Sequence, residues 1–233
     1  MERLQAGNYS MNKTILVVAA HTDDEALGCG GTIAKHVAQG DIVYAAFLAD
    51  GVTSRTEASE EDLDARNTAA SKALHILGIK KSFILGFPDN RLDSVPLLDI
   101  VQKLETIFAE VEPHVVYTHH NGDLNVDHRV THQAVLTACR PLPDASVKEI
   151  YAFEVLSSTE WYTPSVAPFI PNVFVDISAY LDTKLKALEA YKLEMRNQPH
   201  ARSILNSKRH SECRGASVGT GAAEAFTLIR IIK

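Results

Sequence analysis

The sequence predicts an α/β fold of the Rossmann-like type, in which a mostly parallel sheet carries helices on both faces. Apolar runs alternate with helical patterns through the first half of the chain, beginning with TILVVAA at 14–20. Such alternation is typical of strand–helix–strand units in a parallel sheet. The apolar runs are also continuous and rich in β-branched residues, as expected for strands that are covered on both faces.

The first half of the chain gives the clearest alternation. A helix is expected over 59–78, because Ser59 with acidic residues behind it is a common helix start and Gly78 is a common helix end. In the preceding helix, predicted at 25–38, three glycines at 28, 30 and 31 weaken the helical pattern near its start. In order, the sequence predicts a strand at 14–20, a helix at 25–38, a strand at 42–49, the helix at 59–78, a strand at 82–87, a helix at 96–110, a strand at 114–120 and a helix from about Asp127.

The second half of the chain is less regular. Its predicted elements are strands at 149–155 and 172–178, a charged amphipathic helix at 181–195 and a last strand at 223–232. No internal repeat or long linker divides the chain, and 233 residues suit one α/β domain. We therefore expect a single domain over 1–233, with residues 1–12 as a flexible N-terminal tail.

Composition excludes several kinds of partner. The 23 basic and 29 acidic residues give a formal charge of -6, and no Lys/Arg run stands out, so nucleic acid is not expected as a partner. No apolar run approaches the ~18 residues that span a bilayer. The three cysteines are far apart and odd in number, which matches neither a disulfide framework nor a CxxC metal site. We therefore expect a cytoplasmic protein without a transmembrane segment.

One cluster of reactive side chains follows the first strand directly. His21, Asp23, Asp24 and Glu25 lie within one short stretch, at the end of a parallel strand, where ligands of such sheets bind. Neutral imidazole and carboxylate oxygen are good zinc ligands, and a further carboxylate could accept a proton from water at such a site. The same acidic residues would also suit a helix N-terminus, where they complement the helix dipole and can cap the helix.

A second cluster follows the fourth predicted strand and continues into a helix. It runs from His119 and His120 through Asn125 and Asp127 to His128. Because the carboxyl ends of parallel strands share one edge of a sheet, both clusters are expected at the same crevice.

Together the two clusters resemble a known family. The stretch HTDDE at 21–25 looks like the H-P-D-D-E signature of the LmbE-like, or PIG-L-like, zinc N-deacetylases, and NVDH at 125–128 looks like that family's second signature. Weaker similarity extends to Arg66 in a helix, to LGFPD at 85–89 and to AEAF at 223–226. The resemblance implies a Rossmann-like fold with a zinc site at the C-terminal ends of the strands.

The resemblance also implies a role for each matching residue. Zinc would be held by His21, Asp24 and His128, and Asp23 would be the general base. Arg66 and Asp89 would contact the sugar or its substituent.

Three further residues carry expectations of their own. We expect Asp127 to orient a metal-bound histidine, as carboxylates commonly do. Thr22 stands where the family usually has Pro, which we expect to be harmless because this side chain is not asked to react. Asn125 stands where the family commonly has His, a residue thought to stabilise the oxyanion or to protonate the leaving amine.

Because position 125 is Asn and not His, it cannot serve both as oxyanion donor and as acid. Asn can donate a hydrogen bond to an oxyanion but cannot act as an acid, so we expect Asn125 to keep the first role only. The acid role must then pass to another group, either to Asp23 once it is protonated or to His119, His120 or His200.

The function that the resemblance implies is Zn²⁺-dependent removal of an N-acyl group, usually acetyl, from an amino-sugar derivative. An N-acetylglucosamine-containing glycan, a nucleotide sugar and a glycoside are all suitable substrates. Family members are often homo-oligomers, and no sequence feature indicates a subunit number.

Two alternatives stay open at this point. One is a metal-dependent amidase for a non-sugar N-acyl substrate, and the other is a non-catalytic nucleotide-binding module on the same fold. The nucleotide-binding alternative lacks a phosphate loop, because the glycine-rich piece at 28–31 does not match G-x-G-x-x-G. Close packing of a helix on the sheet explains these glycines better.

Overall fold

The structure is a computed structural model that describes residues 12–51, 59–163 and 165–233. Of the predicted tail at 1–12, only Asn12 lies within the described residues, so that prediction falls outside them. The first half contains β1 (Thr14–Ala19), α1 (Asp24–Ala38), β2 (Ile42–Ala49), α2 (Glu60–Leu77), β3 (Lys81–Phe87), α3 (Leu97–Val111), β4 (Val115–His119) and α4 (Val126–Ala138). The second half contains β5 (Glu149–Phe153), β6 (Val173–Asp176), α5 (Leu181–Ala190), α6 (Ile204–Ala216) and β7 (Ala223–Ile231).

Two features of the second half differ from the sequence prediction. The helix predicted at 181–195 ends at Ala190, and turns follow it. Helix α6 was not predicted, because its sequence is mostly polar and its buried positions are the small residues Ser207, Ser211 and Gly215. A cap was nevertheless present, since the side chain of Ser203 accepts a hydrogen bond from the backbone N–H of Asn206.

The predicted fold class is confirmed. The described strands form one seven-stranded sheet in the order β3-β2-β1-β4-β5-β7-β6. The first five strands are parallel, and β7 runs antiparallel to both of its neighbours. Since β1 and β4 are adjacent, the segments that follow them meet at the same edge of the sheet.

The sheet is packed on both faces, as its continuous apolar strands predicted. Alternate side chains of a strand point to opposite faces. Ile15 and Val17 accordingly belong to a core under α1, α2 and α5, whereas Leu16 and Val18 belong to a second core under α3 and α4. None of the described helices is both long enough and apolar enough to cross a membrane.

Helix α1 is interrupted one turn after the first cluster. Cys29 has non-helical angles (φ -146, ψ 23), so the helix restarts beyond it. The backbone N–H groups of Gly31 and Thr32 donate to the carboxylate of Glu224 at 3.0 and 2.7 Å. Nζ of Lys184 lies 2.6 Å from the same carboxylate. A buried ion pair therefore satisfies backbone donors that the interruption leaves without helical partners.

The glycines of this segment allow its close approach to the rest of the fold. A Cβ atom on Gly28 would lie 2.3 Å from the ring of Phe153, and one on Gly31 would lie 2.7 Å from Ile177. This geometry agrees with the packing role expected for the glycine-rich piece.

Candidate active site

Three side chains from the two predicted clusters converge at the C-terminal edge of the sheet. His21 follows β1, Asp24 begins α1, and His128 lies in the first turn of α4. Oδ2 of Asp24 is 3.3 Å from Nδ1 of His21 and 3.3 Å from Nε2 of His128. All three are buried, and their ligand atoms lie within 4.8 Å of one another, a grouping that could hold a metal ion.

His21 is held in place from its far side. Its Nε2 lies 3.0 Å from Oδ2 of Asp127 and 3.0 Å from Oδ1 of Asp89. Asp127 in turn accepts hydrogen bonds from the backbone N–H groups of Asn90 and Leu92 at 2.7 and 3.0 Å. Asp127 therefore lies where it can orient the His21 ring so that Nδ1 of His21 faces Asp24.

His128 has its own orienting carboxylate, which the sequence did not single out. Nδ1 of His128 lies 3.1 Å from Oδ1 of Asp123. The hydroxyls of Ser158 and Thr159 donate to the same carboxylate. These contacts hold the pKa of Asp123 at about 2, although burial alone would raise it.

The charges around these side chains favour a cation between them. Burial alone would lower the pKa of the His128 imidazole, but the carboxylates of Asp24 and Asp123 raise it to about 9. Burial would raise the pKa of Asp24, yet His128 and His119 hold it well below its usual range. An environment that draws a proton onto imidazole also stabilises a divalent ion on the same atoms. Two imidazoles and one carboxylate therefore fit a metal with an open coordination position.

Asp23 lies beside this donor set in a strained backbone conformation. Its φ of 115° is in the left-handed region, which a non-glycine residue adopts only at a cost of about 1–3 kcal/mol. Its backbone N–H donates to Oε2 of Glu25 at 2.9 Å, and Nη1 of Arg202 donates to its Oδ2 at 3.0 Å. Burial raises the pKa of the Asp23 carboxyl to about 6, although the guanidinium of Arg202 partly opposes this increase.

Arg66 reaches the same place from α2, where it has several partners. Its Nε donates to Oγ1 of Thr22 at 2.9 Å, and its Nη2 donates to the carbonyl oxygen of Thr22 at 2.7 Å. Its Nη1 lies 2.8 Å from Oε1 of Glu194. The Thr22 hydroxyl, which we expected to be merely harmless, thus accepts a hydrogen bond that a proline side chain could not accept.

Asn125 is the N-cap of α4 and lies at the edge of the cleft. Its side-chain oxygen accepts from the backbone N–H of Asp127 at 2.8 Å, which directs its amide nitrogen outward. That nitrogen donates to Oδ1 of Asn90 at 3.1 Å. A side-chain amide carries two N–H donors, and among the described residues only Asn90 accepts from this one, so a second donor can serve a bound group.

These residues line one cleft of about 250 Å³. Seven of the eight residues expected at the site line this cleft. The eighth, Asp127, contacts His21 from outside the cleft. The cleft is also lined by residues for which no role was expected, namely Gly51, Asn90, Glu194, Arg196 and Arg202.

The histidines proposed as acids do not line this cleft. His119 is fully buried behind the donor set, where its Nε2 accepts from the backbone N–H of Ala20 at 2.8 Å. Nε2 of His120 lies 2.9 Å from the carbonyl oxygen of Ala167, and the ring of His200 packs against Trp161. Among the four groups considered for the acid role, Asp23 alone lines the cleft.

Comparisons with known proteins show similarity to a family of de-N-acetylases. Residues 16–139 match the family model described as PIG-L, GlcNAc-PI de-N-acetylase. The chain is 32% identical over 186 residues to the uncharacterized deacetylase YaiS of Escherichia coli, which covers 77% of this chain and 91% of that protein. It is 28% identical over 193 residues to the diacetylchitobiose deacetylase of Thermococcus kodakarensis, with 77% and 69% of the two chains covered.

A solved structure extends the similarity to nearly the whole chain. A crystal structure of a conserved protein from Thermus thermophilus superposes with a TM-score of 0.76 at 26% sequence identity. The match covers 95% of this chain and 96% of that one.

Proposed function

Since the chain belongs to the PIG-L family of de-N-acetylases and is therefore an enzyme that removes N-acetyl groups, we propose that its substrate is an N-acetylglucosamine derivative and its metal is zinc. The observation that carries the proposal is the convergence of His21, Asp24 and His128 beside a buried carboxylate, Asp23. This arrangement provides a metal site and a proton acceptor within one cleft.

The proposed metal ligands are His21, Asp24 and His128. Two imidazoles and one carboxylate are a ligand set common in catalytic zinc sites, which leave a position open for water or substrate. A zinc ion bound there would polarise the amide carbonyl and make water more acidic. Asp127 and Asp123 orient the two imidazoles, as carboxylates behind metal-bound histidines do.

Asp23 is the proposed general base. Burial raises the pKa of its carboxyl to about 6, and a general base works best with a pKa near the operating pH. The amide of Asn125 donates a hydrogen bond to the oxygen on which negative charge develops. The protonated Asp23 then returns its proton to the leaving nitrogen, and acetate and the free amine depart.

Arg66 and Asp89 are the proposed substrate contacts. Both line the cleft, and guanidinium donors and carboxylate acceptors suit the hydroxyls of a sugar. Arg66 also pairs with Glu194, so the structure supports a framework role for it alongside the proposed contact.

The nucleotide-binding alternative fits this cleft poorly. A phosphate at a helix N-terminus uses the free backbone N–H groups and the positive end of the helix dipole. At α1 that position is occupied by the carboxylates of Asp23, Asp24 and Glu25, all of them buried. These carboxylates would repel a phosphate.

The test is amine release from a panel of N-acetylated compounds, measured with and without a chelator. The panel contains N-acetylglucosamine, diacetylchitobiose, a nucleotide-linked N-acetylglucosamine and an N-acetyl amino acid. We expect chelator-sensitive amine release from at least one of the sugars. Release from the amino acid alone would instead favour an amidase for non-sugar substrates.

Metal content is measured on the same preparation. We expect about one zinc per chain, because structural and catalytic zinc sites bind tightly at neutral pH. An active preparation without a transition metal would overturn the metal assignment. The substrate assignment would still be decided by the panel of N-acetylated compounds.

A further inference from the structure

The segment between α5 and α6, residues 191–203, reaches the general base from two directions. Its first residue, Tyr191, is buried, and its hydroxyl donates to Oε1 of Glu25 at 2.7 Å. Near its other end, Nη1 of Arg202 donates to Oδ2 of Asp23 at 3.0 Å. Glu25 completes the first connection, because its other oxygen accepts from the backbone N–H of Asp23 at 2.9 Å.

Asp23 has a conformation that requires such support. Its φ of 115° is unfavourable for a side chain with a Cβ atom, and as N-cap of α1 it makes no side-chain capping hydrogen bond. A strained residue keeps its conformation only where surrounding contacts over-determine it. Here one contact fixes the backbone nitrogen through Glu25 and Tyr191, and another fixes the carboxylate through Arg202.

Arg202 is itself anchored to a different part of the sheet edge. Its Nε donates at 3.0 Å to the hydroxyl of Ser157, which lies after β5. The guanidinium therefore links the segment after β5 to the segment after β1, and its planar fork of donors fixes the direction of both bonds. The loop around it is also tied down, since Ser203 caps α6 and Asn206 donates to the carbonyl oxygen of Ala201.

We propose that Tyr191 and Arg202 are positioning residues that hold Asp23 in the orientation needed to accept the proton of the attacking water. This inference rests on the proposed role of Asp23 as general base. The proposed role of each residue requires no contact with the substrate or the metal. Their loss is therefore expected to lower kcat with little change in KM or in bound metal.

Two substitutions test the contacts with matched controls. Tyr191→Phe removes only the hydroxyl that supports Glu25, and Tyr151→Phe removes a hydroxyl that donates to Glu149 over the same 2.7 Å, away from the cleft. Arg202→Ala removes the pair with Asp23, and Arg140→Ala removes a 3.0 Å pair with Glu105 on the surface. Activity is measured as amine release from diacetylchitobiose.

We expect kcat to fall by about 10- to 100-fold in Tyr191→Phe and Arg202→Ala, which is the range that a small misplacement of a catalytic group produces. KM, zinc per chain and both control variants should stay within about twofold of the wild type. Arg202→Lys should restore part of the activity lost in Arg202→Ala, because the charge remains. A crystal structure of Tyr191→Phe should show a changed backbone angle or side-chain direction at Asp23.

A double-mutant cycle separates positioning from a general effect on folding. If Arg202 acts through Asp23, then Arg202→Ala should have almost no further effect on kcat in an Asp23→Asn background. Independent, multiplying effects would overturn the inference, as would unchanged kcat in both single variants. Loss of zinc in Tyr191→Phe would also overturn it, because the contact would then support Asp24.

The same cycle distinguishes failure of this inference from failure of the proposed function. Normal kcat in Asp23→Asn would show that Asp23 is not the general base, and the inference would then be wrong as well. A large loss in Asp23→Asn beside normal Tyr191→Phe and Arg202→Ala enzymes would overturn the inference alone.

Discussion

Lys184 and Glu224 form a buried ion pair, with Nζ of Lys184 2.6 Å from Oε1 of Glu224. The pair connects α5 to β7 at the point where α1 is interrupted. Nζ of Lys184 also donates to the carbonyl oxygen of Leu27, and Glu224 accepts from the backbone of Gly31 and Thr32. Helix α1, which carries Asp24, therefore depends on two side chains that lie far from it in the sequence.

The first prediction concerns this ion pair. Lys184→Met leaves the carboxylate of Glu224 buried without its cation, which typically lowers the free energy of unfolding by about 3–5 kcal/mol. Lys81→Met removes an exposed partner of Glu110 and should cost less than about 1 kcal/mol. Urea unfolding of both variants measures the difference. Equal stabilities would show that the buried pair contributes no more than the surface pair.

The second prediction separates the two adjacent aspartates. Asp23→Asn keeps size and shape but cannot accept a proton, so kcat should fall by about 10²–10⁴-fold while zinc stays bound. Asp24→Asn removes the charge of a proposed ligand and should weaken zinc binding instead. Paired kinetics and elemental analysis check both variants.

Two outcomes would contradict this division of roles. An Asp23→Asn enzyme with full zinc and near-normal kcat would exclude Asp23 as the base, since Asn cannot accept the proton of the attacking water. An Asp23→Asn enzyme that has lost its zinc would mean that the roles of the two residues are exchanged.

The third prediction concerns removal of the metal. A ligand that binds only the folded state raises its stability, so chelation should lower the Tm of the wild-type protein as well as abolish activity. Addition of zinc should restore both. Asp24→Asn serves as the control, because its Tm should respond little to the chelator. A wild-type Tm that is insensitive to chelation would argue against a metal bound by buried side chains.

The fourth prediction concerns Asn125, which is the N-cap of α4 and the proposed oxyanion donor. Asn125→Asp preserves the cap of α4 but replaces the N–H donors with acceptors. Stability should therefore change little, while kcat falls by about 10²–10³-fold, the usual effect of losing one oxyanion donor. Asn125→Ala should lose the same activity and also about 1 kcal/mol of stability from the cap. Full activity in Asn125→Asp would assign the oxyanion contact to another group.

The meeting of the two clusters was predictable because parallel strands place their carboxyl ends together. The patterns at β1 and β4 are continuous apolar runs, so both strands and the polar segments behind them could be located from sequence alone. His21, Asp24 and His128 converge for this reason.

The part of the site that comes from the second half was not predictable in the same way. Arg202 and Glu194 lie in turns and loops around an unpredicted helix, and no local pattern distinguishes them from surface residues. Their roles come from contacts with Asp23 and Arg66, more than a hundred positions earlier in the chain. The packing of α5 against α1, α2 and α6 brings these partners together.

The position of β7 has a consequence for the order in which the protein is completed during synthesis. Among the described strands, β6 pairs with β7 alone, and β7 is translated after every other element of the sheet. Strands β1 to β5 can pair as they leave the ribosome, whereas β6 must wait for its neighbour. Glu224 arrives with that same strand, so the helix bearing Asp24 gains its missing hydrogen-bond acceptor only then. In a nascent chain, the helix that bears Asp24, a proposed metal ligand, therefore lacks this support until β7 has been made.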